Sequence, residues 1–144
     1  MTDVYFDSGI IVKLYVQELN SGGAPLVSRH TAPYALTSWQ ALEVRNAIRL
    51  KAFRREISPE EMLQSLAGLD EDIVAGRWVR PSYSVAAVEE KAEELSARHA
   101  VGLGCRTLDL LHVAAALIMG AKEFLTFDHR QAAMARSAGL TVKS

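Results

Sequence analysis

Val4-Tyr5-Phe6-Asp7-Ser8-Gly9-Ile10-Ile11-Val12-Lys13-Leu14-Tyr15 is the stretch whose reading decides the fold. Three apolar residues without a polar break read as a short strand buried on both faces. An aspartate and a serine then lead straight into an apolar run at helical spacing, and Asn20-Ser21-Gly22-Gly23 supplies the chemistry to end it. A strand that passes directly into a helix is half of a βα unit, and the same grammar recurs down the chain. Tyr34-Ala35-Leu36-Thr37 reads as a second strand, followed by a helix that Ser38 can cap and that runs to about Arg54, with Trp39, Leu42, Ala47, Leu50 and Phe53 as its apolar stripe. Ser58-Pro59-Glu60-Glu61 joins an N-cap, a proline at the first helical position and a glutamate three residues after the cap, so a helix starts there and reaches about Val74. Arg77 to Arg80 reads as a short strand, Ser84 opens a helix fading near His99, and Gly102 and Gly104 mark a loop. Thr107 can cap a very apolar helix reaching Met119-Gly120. Glu123 to Phe127 is a strand, His129 to Ala138 a helix closed by Gly139, and Leu140-Thr141-Val142 a last strand. The alternation predicts an α/β fold: one domain over residues 1–144, with a mainly parallel sheet of about five short strands flanked by helices.

Composition sets limits on function. With 144 residues, 49% of them hydrophobic, the chain is long enough to bury one sizeable core without staples. Cys105 is the single cysteine, which excludes an internal disulfide and a cysteine-based zinc cluster. No basic segment precedes the first apolar run, and Asp7 and Lys13 interrupt it, so the expectation is a cytoplasmic protein with neither signal peptide nor membrane span. A formal net charge of -1 excludes nucleic-acid binding through bulk positive charge; any such contact must be local.

Four acidic residues stand where apolar ones would be expected: Asp7 after the first strand, Glu43 in the helix after the second, Asp109 within Thr107-Leu108-Asp109-Leu110-Leu111, and Asp128 after Phe124-Leu125-Thr126-Phe127. A carboxylate in an apolar neighbourhood carries a desolvation penalty that a cation can offset. In a parallel sheet, ligands bind beyond the carboxyl ends of the strands, which is where Asp7 and Asp128 fall. Glu43 lies within the predicted apolar stripe, and Asp109 in the first turn of its helix can face the same edge. Oxygen-only donors suit a hard cation such as Mg²⁺ or Mn²⁺. Each acid also has a plainer reading: Asp7, Asp109 and Asp128 as helix caps or first-turn charges, and Glu43 as half of a buried ion pair. His112, one turn after Asp109, reads more readily as a hydrogen-bonded structural histidine than as a ligand. Arg45, Arg49, Lys51, Arg54 and Arg55 spread around their helix, as a solvated surface does, so Arg106 is the better candidate for a phosphate contact.

These residues carry a resemblance. Tyr5-Phe6-Asp7-Ser8 with its following helix, Thr37-Ser38 before Glu43, Arg106-Thr107-Leu108-Asp109-Leu110-Leu111-His112, and Leu125-Thr126-Phe127-Asp128 ending in Ala138-Gly139-Leu140 together resemble the PIN (PilT N-terminal) domain nucleases, and among them the VapC-type toxins of toxin-antitoxin pairs. The resemblance covers nearly the whole chain. It implies a metal-dependent endoribonuclease in which Asp7, Glu43, Asp109 and Asp128 hold Mg²⁺ or Mn²⁺, with Ser8 in a supporting polar role. It further implies an RNA substrate, a small cognate antitoxin and a homodimer. Gly9 departs from the pattern, standing where the family more often has a larger residue. Two other readings remain: a PIN-type RNA-processing nuclease without an antitoxin, and a regulatory α/β domain that binds metal at its acidic edge without cleaving anything.

Overall fold

The computed structural model describes residues 3–16 and 31–143. In chain order the described elements are β1 (Val4–Phe6), α1 (Ser8–Tyr15), β2 (Tyr34–Ala35), α2 (Ser38–Phe53), α3 (Pro59–Val74), β3 (Trp78–Val79), α4 (Val85–Leu103), α5 (Thr107–Ile118), β4 (Glu123–Leu125), α6 (His129–Ser137) and β5 (Thr141–Lys143). The fold is α/β, with helices and strands alternating as the sequence predicts. Every strand pair is parallel, but the strands divide into a three-stranded sheet, β1-β4-β5, and a two-stranded one, β2-β3. The expectation of one five-stranded sheet is corrected accordingly. Apolar runs reveal that strands exist, whereas pairing depends on where the chain brings them. The predicted helix end at Asn20-Ser21-Gly22-Gly23 lies outside the described residues.

The chain forms two compact units, one of Met1–Asp7 with Pro81–Ser144 and one of Ser8–Arg80. In the first, the register pairs Phe6 with Leu125, and the Asp7 amide donates to the Leu125 carbonyl at 2.9 Å, so Asp7 stands immediately past the carboxyl end of β1. The Tyr5 ring stacks on Phe124 with centroids 5.3 Å apart, and Phe6, Phe124 and Leu125 are fully buried. Helix α5 is buried nearly all round. Its Val113, Ala114, Ala115 and Ala116 are without exposure, and the three small side chains permit close backbone approach. Helix α4 packs on α5 and runs to Leu103, further than predicted, because Gly104 at φ 67° supplies a left-handed C-cap and Gly102 remains helical.

In the second unit α1 packs against α2 and α3. Gly68 of α3 lies against the Tyr15 ring, and an added Cβ would sit 3.3 Å from Tyr15 Cδ1, so the ring would have to give by a few tenths of an ångström. The cap at Ser58 is as predicted: its Oγ accepts from the Glu61 amide at 3.1 Å and its amide donates to the Glu61 carboxylate at 3.3 Å. The cap of α2 is Thr37 in place of Ser38, with Gln40 closing the capping box. The predicted stripe of α2 is also out of phase. The buried face is Gln40, Ala41, Val44 and Ile48, while Leu42 and Phe53 are 65% and 82% exposed. No described helix is long and apolar enough to cross a membrane.

Candidate functional site

The carboxyl end of the three-stranded sheet collects the polar groups of the first unit. Asp7 is half-buried there, one residue past β1. Thr126, one residue past β4 and fully buried, has its hydroxyl 3.4 Å from an Asp7 carboxylate oxygen and 2.9 Å from Gln131 Oε1, and it accepts from the Asp128 amide at 3.0 Å. A hydroxyl has one proton, so the shorter contact takes it and Gln131 is its partner. The residue after Asp7, Ser8, is 3% exposed, and its Oγ has no hydrogen-bond partner. An orphaned buried hydroxyl is uncommon, and it points to a polar group that the protein alone does not supply.

Asp109 and His112 enter from α5. Asp109 lies in the first turn and is 8% exposed. The helix begins without a side-chain cap from Arg106, and Thr107, the predicted cap, is its exposed first residue. Asp109 reaches back instead, one carboxylate oxygen accepting at 3.4 Å from both the backbone N–H and the guanidinium Nε of Arg106. Both contacts are long, so the carboxylate is held loosely. Arg106 itself is largely exposed, which leaves its other N–H groups facing water. His112, one turn on, is 3% exposed, its Nδ1 lies 2.7 Å from the Tyr5 hydroxyl, and its ring meets Tyr5 edge to face. A carboxylate oxygen of Asp7 and a ring nitrogen of His112 come within 4.8 Å of each other.

Of the acids of the first unit read from the sequence, Asp7 lies beside this histidine, and Asp109 and Asp128 do not join the pair at that spacing. Asp128 is the N-cap of α6, its Oδ1 accepting from the Gln131 amide at 2.9 Å, which is the plain role its position also allowed. Its second oxygen is not used by the cap. Glu43 belongs to the second unit, half-buried on α2 in the row Trp39, Glu43, Ala47 that flanks the buried face. The basic run is divided: Arg45 pairs with Asp70 at 2.8 Å and Lys51 with Glu56 at 3.4 Å, while Arg49, Arg54 and Arg55 are exposed. His112 is the buried, hydrogen-bonded histidine that its sequence reading expected.

Cys105, just before α5, has its thiol pushed above the ordinary range, first by burial and then by the charge of Asp109. The donors gathered in this unit are carboxylate oxygens and an imidazole, and next to Asp7 in the chain stands a buried hydroxyl without a partner. Carboxylate oxygens and an imidazole are donors of the kind that bind a divalent cation. The sequence matches no family model and no curated protein, so the reading of function rests on these residues.

Proposed function

We propose that this chain is a metal-dependent endoribonuclease of PIN-like architecture, the toxin of a toxin-antitoxin pair. The observation that carries the reading is Asp7, half-buried beyond the carboxyl end of a parallel strand, with the orphaned Ser8 hydroxyl next to it in the chain. In this reading Asp7, Asp109 and Asp128 of the first unit supply ligands for Mg²⁺ or Mn²⁺. The bound ion lowers the pKa of a water and offsets charge that builds on a phosphodiester. Ser8 orients a water through its unused hydroxyl, and the uncapped oxygen of Asp128 remains free to act as a ligand. Arg106 holds Asp109 with one edge of its guanidinium and offers the exposed remainder to an RNA phosphate. The implied partner is a small antitoxin that covers the acidic edge, and the implied assembly is a homodimer.

The test is cleavage of total cellular RNA by protein stripped with chelator. Added Mn²⁺ or Mg²⁺ restores cleavage, Ca²⁺ does so poorly because its bonds are longer and its coordination looser, and Asp7→Asn lowers the rate at least about 100-fold, since losing a ligand exceeds the usual effect of losing a supporting residue. Full cleavage in chelator, or by Asp7→Asn, overturns the assignment. A protein that binds the ion and cleaves nothing is the regulatory domain instead. Copurification with the product of an adjacent small reading frame separates a toxin from a nuclease of RNA processing.

A further inference from the structure

Helix α2 has two faces. The one turned into its own unit is Gln40, Ala41, Val44 and Ile48. On the other, Leu42, Asn46, Arg49, Leu50 and Phe53 are all exposed, Leu42 to 65% and Phe53 to 82%. Single apolar side chains at a surface are ordinary, but three along one stripe of one helix form an unpartnered face. Leu42, Asn46, Arg49 and Phe53 follow one another at steps of four, three and four residues. That alternation is the one by which two helices pack lengthwise, and here it covers about 16 Å of helix.

The polar pair at the centre of the stripe selects the occupant. The steps read the same from either end, so a second copy of α2 laid antiparallel brings Leu42 against Phe53 of the second copy and Asn46 against Arg49 of the second copy. Each contact then occurs twice about a twofold axis. Among the described residues Arg49 enters no ion pair, in contrast to Arg45 with Asp70 and Lys51 with Glu56. The antiparallel pairing gives its guanidinium an amide oxygen to donate to. A parallel pairing would instead set Arg49 against Arg49, and like charges at contact distance oppose association.

We propose that the exposed face of α2 is the contact of a twofold-symmetric dimer of this chain, with the two helices antiparallel and Asn46 of each copy accepting from Arg49 of the other. The inference deepens the homodimer named above and needs neither the metal nor RNA. Three helical turns make a small interface, so the dimer dissociates in roughly the micromolar range.

The experiment is sedimentation of the full chain, followed from micromolar to millimolar concentration. The parent passes from the mass of one chain to that of two. Asn46→Arg sets like charges against each other in both halves of the contact and weakens association at least about 10-fold. Adding Arg49→Asp to it restores association to the parent's level or beyond, because each new arginine then faces an aspartate of the other copy. In a parallel pair the same double variant sets like against like at both positions and stays apart. Phe53→Ser weakens association about 10-fold or more by removing a ring from each half. The three substituted positions are exposed, so the far-ultraviolet circular dichroism of every variant matches that of the parent. A parent that stays monomeric at millimolar concentration overturns the inference and leaves the face to a partner of another sequence. A dimer that Asn46→Arg does not loosen, or that the second substitution does not restore, has its contact elsewhere and overturns the inference as well. Metal binding and RNA cleavage enter none of these outcomes, so this inference and the proposed function fail separately.

Discussion

Tyr15 and Tyr5 are both built into hydrogen-bonded clusters, and the two clusters are finished to different degrees. Tyr15, in the second unit, donates to Asp72 at 2.6 Å and accepts from Trp78 Nε1 at 2.6 Å, while Arg77 stands 3.6 Å from the same carboxylate and Trp78 packs on Tyr34. Donor, acceptor and counter-charge are all present. Tyr5, in the first unit, engages His112 beside a half-buried Asp7, and the residue after Asp7 carries a buried hydroxyl with nothing to bond. The first cluster is complete as protein, and the second contains a polar group that the protein leaves unsatisfied. On the proposed reading, that difference is the one between a structural network and a metal site, because buried polar groups are costly to leave unmatched.

Substitution at Tyr15 tests this contrast most strongly. Tyr15→Phe removes the shared hydroxyl and strands the Trp78 N–H and one Asp72 oxygen together, so the unfolding free energy falls by about 2 kcal/mol. Thermal or urea denaturation measures the loss, while Mn²⁺ binding by the folded fraction stays unchanged. A variant as stable as the parent would mean that the network is slack and that its completeness teaches nothing about the other cluster. The same network has a signature in pH. Burial, followed by the hydrogen bond and charge of Asp72, raises the Tyr15 pKa well above its ordinary value of 10.0. The folded state therefore holds its proton after the unfolded chain has released it, so this contribution is complete below about pH 10 and declines as pH climbs toward the raised folded value. Stability followed from pH 8 to 11 falls at the alkaline end, and Tyr15→Phe makes that fall shallower.

The sequence disclosed the βα alternation, the Ser58 cap and the place of Asp7, because each depends on near neighbours in the chain. The phase of α2 was hidden. Gln40 is fully buried although it is polar, since its side-chain oxygen accepts from the Thr37 amide at 2.8 Å and its own amide donates to Thr37 Oγ1 at 3.0 Å. A wheel that places every glutamine outside turns the whole stripe, and Glu43 shifts from its centre to its flank. Asp128 illustrates the opposite difficulty: cap and ligand demand the same residue at the same place, and only geometry distinguishes them. The pairing of His112 with Tyr5 spans 107 positions, beyond any local pattern.

Helix starts repeat the contrast on a smaller scale. Ser58 and Glu61 satisfy each other at the head of α3, whereas α5 begins at Arg106 with no side-chain cap and Thr107 exposed. Ser58→Ala lowers stability by about 1 kcal/mol, and Thr107→Ala changes it by less than about 0.5 kcal/mol. Equal losses at the two positions would show that α5 is capped as its sequence suggests and that its head is as closed as that of α3.

Asp109 supplies the finest discrimination. Asn can still accept the Arg106 backbone N–H through its amide oxygen, and an ion pair with a largely exposed arginine contributes little, so Asp109→Asn leaves stability within about 1 kcal/mol. What it removes is a negative charge beside Cys105. Burial and that charge together raise the Cys105 pKa, so removing the charge moves the thiol part of the way back toward its ordinary range, with the burial contribution remaining. Cys105 is the single thiol in the chain and is half-exposed, so its alkylation rate against pH reads the change directly. The profile of Asp109→Asn lies at lower pH than that of the parent. Superimposed profiles would mean that Arg106 already neutralises Asp109, and a carboxylate neutralised in this way is a structural partner of Arg106 with little charge left to attract a cation.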